Sequence, residues 1–340
     1  MALPELPSGA RMSRRLALLH CATLAALPSL AWAQTARPAT TARPARLAPQ
    51  LRIVIPANPG GGWDQTGRAL GASLLQAGLA EQIDYENVGG KGGTLGLAHF
   101  ADKYSGDSNA LLVGGMVMVG AVALQKPRVD LSHVRPVARL TSDYLVVVVP
   151  AQSPIKSTRD LVAALRQDLK SVPIAGGSAG GVDHMFAGVL VRAAKAAPDA
   201  LVYRPHASGA DVVAALLKGD AVVGISGYSE VSEALGQGTL RAIGVSARRP
   251  VFGLPTFRDQ GLDAEMANWR GVFAGRDIPA ARVAEWAGAL EYTAAQEPWQ
   301  KALHKNRWES AWLTGKDLSE FIELSQTTAS VMAYLLKLKS

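Results

Sequence analysis

Two glycine-rich turns hold the residues of this chain best suited to chemistry. Asn58-Pro59-Gly60-Gly61-Gly62-Trp63-Asp64 and Gly176-Gly177-Ser178-Ala179-Gly180-Gly181-Val182-Asp183-His184 each follow a short apolar run and open a helix-like stretch. Glycine has no Cβ and tolerates φ > 0, so amide N–H groups at a helix N-terminus can converge on an anion. Two such cradles in separate α/β units suggest a ligand gripped between two lobes.

Other chemistries fit these turns less well. A dinucleotide loop needs a third glycine after Gly60-Gly61-Gly62, where Trp63, Asp64 and Gln65 stand instead. A phosphate loop needs Gly-Lys-Ser/Thr, which neither Gly90-Lys91-Gly92 nor Gly315-Lys316-Asp317 supplies. The rival is hydrolysis, because Gly176-Gly177-Ser178-Ala179-Gly180 matches a nucleophile elbow and Gly60-Gly61-Gly62-Trp63 is similar to an esterase oxyanion loop. Asp277 and His304 are available to complete a triad, though both lie in a polar C-terminal part without clear strand ends. His99, His133 and His304 lack metal-ligand spacing, so no metal and no cofactor is expected.

The elements that must position the turns alternate along the chain. Short apolar runs at Leu51–Ile55, Ile83–Glu86, Leu111–Gly114, Leu145–Val149, Val172–Ala175, Leu201–Arg204, Val222–Ser226 and Arg241–Val245 have the character of buried parallel strands. Amphipathic stretches separate them. Ser157–Leu169 is one, with Ser157 as N-cap, and Lys316–Leu338 is a long helix near the end. This alternation predicts open parallel sheets with ligands at the carboxyl ends of strands.

The N-terminal residues are set apart. Arg11, Arg14 and Arg15 precede an apolar run from Leu16 to Leu30, and Ala31-Trp32-Ala33 forms a cleavage site, so residues 1–33 are expected to be a secretory signal peptide. The one cysteine, Cys21, would leave with it. Residues 34–48, rich in Thr, Ala, Arg and Pro, predict a flexible tether. The formal charge of +7 is concentrated here, since residues 1–47 hold six arginines and one acid, leaving +2 for the rest. No clustered basic helix, aromatic interleaving or finger spacing supports nucleic-acid binding.

Longer runs carry a resemblance. IVIPANPGGGWD, ENVGGKGGTLGLAHF at Glu86–Phe100, VGGMVMVGA at Val113–Ala121, GGSAGGVDHMFAGVL at Gly176–Leu190 and NWRGVFA at Asn268–Ala274 resemble the secreted receptors of tripartite tricarboxylate transporters, the TctC branch of the Bug-type solute receptors. The resemblance runs from about Leu51 to the C-terminus. It implies an α/β, two-lobed periplasmic binding protein of type II topology, each lobe a mostly parallel sheet flanked by helices. Lobe one would comprise 49–145 and 273–340, and lobe two 146–272, with hinge crossings at Asp143–Val147 and near Trp269–Val272. It further implies a monomer that is not an enzyme, captures its solute in the periplasm and passes it to membrane permease subunits. The same lobes could instead present a ligand to a sensory kinase.

By the same resemblance, one ligand carboxylate is held by backbone amides of Asn58, Gly60, Gly61, Gly62, Trp63 and Asp64 and of Gly177, Ser178, Ala179, Gly180, Gly181, Asp183 and His184. Several of these have structural alternatives: Asp64 as a helix cap that fixes the loop, His184 as a hydrogen-bonding helix residue, and Trp63 as core or cleft wall. Met116 could be strand packing or a contact. Further carboxylates need other donors, for which Arg204, His206, Ser208, Arg270 and the Ser226-Gly227-Tyr228 turn are the candidates, so a citrate-like di- or tricarboxylate is expected. The chain departs from the family at His206-Ala207-Ser208-Gly209-Ala210-Asp211, near the mouth of lobe two, and at Gly89, where proline is common.

Overall fold

The computed structural model describes residues 43–337, so the signal peptide and most of the tether lie outside the described residues. Within them the strands are β1 Gln50–Ile55, β2 Gln82–Asn87, β3 Ala110–Gly115, β4 Val134–Pro150, β5 Ile174–Gly176, β6 Tyr203–Pro205, β7 Val223–Gly227, β8 Leu240–Val245, β9 Ala267–Gly275 and β10 Glu309–Thr314. The helices are α1 Gly62–Gln76, α2 Thr94–Lys103, α3 Met116–Gln125, α4 Thr158–Gln167, α5 Val182–Ala193, α6 Gly209–Lys218, α7 Tyr228–Gly236, α8 Ala280–Ala295, α9 Glu297–Asn306 and α10 Gly315–Leu335.

The strands follow the order β2-β1-β3-β9-β4-β7-β5-β6, with β10 and β8 also paired to β4. Parallel pairing holds for β2-β1-β3 and for β6-β5-β7, where the short apolar runs predicted it. The sheet as a whole is mixed rather than mostly parallel, because β4 and β9 run antiparallel to each other and to their neighbours. These two strands carry the chain out of the first half and back into it, and an outgoing and a returning segment laid side by side must oppose. In β4, Val134–Tyr144 pairs with β9, and Leu145–Pro150 pairs with β7 and β8, so one strand belongs to both halves.

Burial follows from composition. The β-branched run Val146–Val149 and the strand residues Ile53, Val54, Ile55, Leu111, Leu112 and Val113 are fully enclosed, as continuous apolar strands of an α/β sheet should be. The end of α10 reaches the second half, where Leu336 packs against the α5 backbone at Gly188 and Lys337 pairs with Asp199 at 3.2 Å. No described helix is long and apolar enough to cross a membrane.

Candidate ligand-binding site

Both glycine turns open a helix at one cavity of about 680 Å³. The first lies between β1 and α1, the second between β5 and α5. Gly61 is the N-cap of α1 and Gly181 that of α5, and neither helix start is capped by a side chain. The α7 start at Gly227 is likewise without a side-chain cap and also lines the cavity. The α2 start at Gly93 is uncapped and lines the cavity too, so four helix N-termini bring backbone donors and the positive ends of their dipoles to one space. By contrast α4 and α6 are closed by Ser157 and Ser208, whose hydroxyls accept from the amides of Asp160 and Asp211.

Of the residues expected at the site, Asn58, Gly61, Gly62, Trp63, Gly177, Ser178, Ala179, Asp183, His206, Ser208, Gly227 and Arg270 line this cavity. Gly60, Asp64, Met116, Gly180, Gly181, His184, Arg204 and Tyr228 do not line it. Gly60, Asp64, Gly180 and His184 support the wall from behind. The Asp64 carboxylate accepts from the Gly60 amide at 2.9 Å, from Arg68 Nε at 3.0 Å and from Asn87 Nδ2 at 2.9 Å, which fixes the first turn. Burial alone would raise its pKa, but these hydrogen bonds hold it below the usual carboxylate range.

His184 does the same for the second turn. Its Nδ1 accepts from the Gly180 amide at 3.1 Å, which places the ring proton on Nε2, and the ring stacks on Tyr203 at 4.0 Å. Burial lowers its pKa to about 4, so it is neutral at ordinary pH. Gly180 adopts φ +78°, where a side chain would also strike Leu124, so glycine is required there. Arg204 is exposed on β6, Tyr228 stacks on Phe252 at 4.3 Å, and Met116 is buried at the start of α3.

A buried ion pair backs the site. Arg270 Nη2 donates to Asp143 Oδ2 at 3.1 Å, both side chains being essentially inaccessible, and the guanidinium lies 5.2 Å from the Trp308 ring. Burial pushes Asp143 up to about 6 against the opposing charge of Arg270. Arg270 also stands under the first turn, where a Cβ on Gly62 would lie 2.6 Å from Nη2. Asp183 accepts from the Gly177 amide at 3.0 Å. Burial, reinforced by the charge of Glu230, pushes its pKa up to about 7.

Sequence reasoning missed several wall residues. Lys91, Gly92 and Gly93 lean over the first turn and Gln125 joins them, while Glu230 and Asn268 come from α7 and β9. Glu230 accepts from the Ser226 hydroxyl at 3.1 Å. Its place in the first turn of a helix offered the same signal as any dipole-facing acid. The departure at His206–Gly209 does fall on the cavity wall. At Gly89 a side chain would run into Asn58, whose backbone nitrogen would be 2.9 Å away.

The hydrolase constellation is not assembled around Ser178. Asp277 accepts from the Ser105 hydroxyl, His304 is exposed on α9, and neither lines the cavity that Ser178 lines. Among the described residues no group of His, Cys, Asp and Glu is placed to hold a metal ion.

A mixed α/β sheet in two halves, with amide-lined helix starts meeting at a cavity between them, defines a two-lobed solute-binding protein. The chain belongs to the tripartite tricarboxylate transporter family receptors, which it matches over residues 70–333. It is 27% identical over 295 residues to an Agrobacterium vitis UPF0065 protein from the TAR-I ttuE-ttuC' intergenic region, covering 84% of this chain and 80% of that one. Its fold is that of MatC from Rhodopseudomonas palustris with bound malate, at 22% identity and a TM-score of 0.71, covering 83% of this chain and 98% of that one. The R. palustris protein Rpa4515 with adipate superposes with a TM-score of 0.76 at 18% identity, covering 85% and 98%. The periplasmic binding protein BugD gives the same TM-score of 0.76 at 18% identity over the same shares, 85% and 98%. Family and fold are thus those of solute-binding receptors.

Proposed function

We propose that this protein is a periplasmic receptor that captures a small carboxylate between its two glycine turns and hands it to the permease of a tripartite tricarboxylate transporter. The observation that carries this reading is the convergence on one cavity of helix starts lacking side-chain caps, those of α1 at Gly61 and α7 at Gly227 on its wall and that of α5 reaching it through Asp183. A side-chain cap would occupy the place of an anion, and its absence leaves backbone donors for a ligand. The malate and adipate held by two proteins of this fold are small dicarboxylates.

Dicarboxylates are favoured here over citrate-like tricarboxylates. Arg204 and Tyr228 stand outside the lining and Ser208 is committed to capping α6, which leaves Arg270 Nη1 and His206 Nε2, both without partners, as the side-chain groups for a second carboxylate and few donors for a third. In this reading lobe one comprises about 49–145 and the chain after the return crossing, which we place just before Ala267 because β9 is paired to β4 from its first residue. Lobe two lies between. The mature receptor is a monomer that closes by bending where β4 and the segment before β9 join the halves. Calorimetry against citrate, tricarballylate, succinate, glutamate, nicotinate and a neutral sugar tests the ligand class. Binding of carboxylates is the expected result, and tight binding of only the sugar would overturn it.

A further inference from the structure

The long helix α10 belongs to lobe one but ends on lobe two. Its buried stripe, Leu318, Ile322, Ser325 and Ala329, continues at helical spacing to the C-cap residue Leu336. The first part of the stripe is rooted in lobe one, where Phe321 beside it meets Trp269 edge-to-face at 5.5 Å and carries the Arg139 guanidinium at 4.3 Å. Over its 21 residues the helix spans about 30 Å. Leu336, only 3% exposed, then comes down on the α5 backbone at Gly188. A Cβ on Gly188 would lie 2.8 Å from Leu336 Cδ1 and 3.2 Å from its Cβ, so the missing side chain is what lets the leucine seat. Lys337 adds an exposed pair with Asp199, which contributes little by itself.

α5 is the helix that the second glycine turn opens, and lobe one holds that turn as well. A Cβ on Gly180 would be 2.8 Å from Leu124 of α3, and one on Gly181 would be 3.2 Å from Val117 of the same helix. α3 in turn packs against α10. Two joined helices of lobe one therefore grip α5 at two points, Gly181 and Gly188, about 10 Å apart along its axis. The α3 contact lies at the cavity, with Val117 and Leu124 on the wall, so a solute there can reinforce it. The α10 contact places neither Gly188 nor Leu336 on that wall, and it favours the closed arrangement with or without a solute. A groove of about 460 Å³ between Val189, Asp263 and Met332 leaves one side of this contact unfilled, so the seat is shallow enough to be left.

We infer that the last turn of α10 is a clasp between the lobes, seated on Gly188 when they are closed and released when they open, which keeps the empty receptor mainly closed. Bending at the two crossings moves lobe two against every part of lobe one that is not at a crossing. Leu336 is at neither, so opening unseats it. One leucine withdrawn from water shifts the ratio of open to closed forms on the order of ten- to a hundredfold. The clasp rests on the lobe boundaries proposed above and is independent of what the solute is.

Pulsed electron double resonance on the solute-free protein tests it, with spin labels at Leu95→Cys on α2 and Ala210→Cys on α6, two exposed positions close to the cavity-lining Gly93 and Gly209. The one natural cysteine, Cys21, falls in the expected signal peptide. The labelled parent is expected to show mainly short distances with a minor longer-distance fraction. Leu336→Ala removes the seated side chain and should raise that longer-distance fraction at least fivefold. Gly188→Ala reaches the same end from the other side, because its methyl group displaces Leu336 while alanine strengthens α5 as a helix, so a folding defect is not expected. Leu324→Ala, 66% exposed on the same helix, should leave the distances unchanged. A longer-distance majority in the solute-free parent, or distances that neither Leu336→Ala nor Gly188→Ala alters, would overturn the clasp. No solute enters the measurement, so either result leaves the carboxylate-receptor reading standing.

Discussion

Asp64 and Asp183 stand at the same place in two turns of one Gly-Gly-x-Asp spacing, Gly61–Asp64 and Gly180–Asp183, and each accepts a backbone N–H from its own loop. Asp64 also has Arg68 and Asn87, and its pKa lies below the usual range. Asp183 faces Glu230 and Asp143 with no ion pair of its own among the described residues, and its pKa is pushed up to about 7. The first turn is therefore a closed electrostatic unit that can be held rigid without ligand. In the second turn the carboxyl has no such counterion and takes up a proton near neutral pH instead.

Variants can break this contrast. The largest effect is expected from Arg270→Met, which strips the counterion from Asp143, a side chain that is 0% exposed. Breaking a buried pair costs about 3–5 kcal/mol. Urea unfolding should show that loss at pH 8 and a smaller one at pH 5, where Asp143, raised to about 6, takes up a proton. Next comes Gly177→Val. A Cβ there collides with Asp183 Oδ2 and drives that carboxylate off the Gly177 amide, so carboxylate affinity should fall by about a hundredfold, or ~2.7 kcal/mol. Unchanged affinity in calorimetry would mean that the second turn does not hold the ligand.

Asp64→Asn should cost about 1–3 kcal/mol of stability at neutral pH, because it weakens a buried acceptor shared by Arg68, Gly60 and Asn87. Asp183→Asn should act in the opposite sense. With its folded pKa raised, Asp183 binds more protons in the native than in the unfolded state between about pH 4 and 7, so it makes stability fall as pH rises through that window. The Asn variant should flatten that part of the pH profile and equal or exceed wild type at pH 8. A parallel fall in both proteins would place the titration elsewhere. Asp64 has the reverse sign, its stabilisation being lost as pH drops through its lowered pKa.

Both turns are legible in the sequence because glycine clusters at strand-to-helix junctions have few other uses. The α4 start is legible too, since Ser157 does accept from the Asp160 amide. Much of β4 is not. Apolar continuity marks only its second half, beginning at Leu145, whereas Val134–Tyr144 mixes Arg135, Arg139 and Ser142 into a strand held by antiparallel partners far away in sequence. β9 and β10 escape for the same reason. In the site, Glu230 and Asn268 are missed because an acid in a helix's first turn and an amide in a strand carry no mark of the cavity they meet. Arg204 and Tyr228 are expected at strand ends that do face the cleft, but side-chain direction over so short a strand and helix start is set by packing, with Tyr228 drawn onto Phe252.

The central claim is that one carboxylate is held by the amides of both turns at once. A crystal structure with the tightest-binding carboxylate of the calorimetric series tests it most directly. The account predicts a ligand carboxylate within about 2.7–3.2 Å of backbone nitrogens from the Gly61–Trp63 turn and from the Gly177–Ala179 turn. A ligand seated outside this cavity, or one whose carboxylate is held by side chains with either turn left empty, would contradict it.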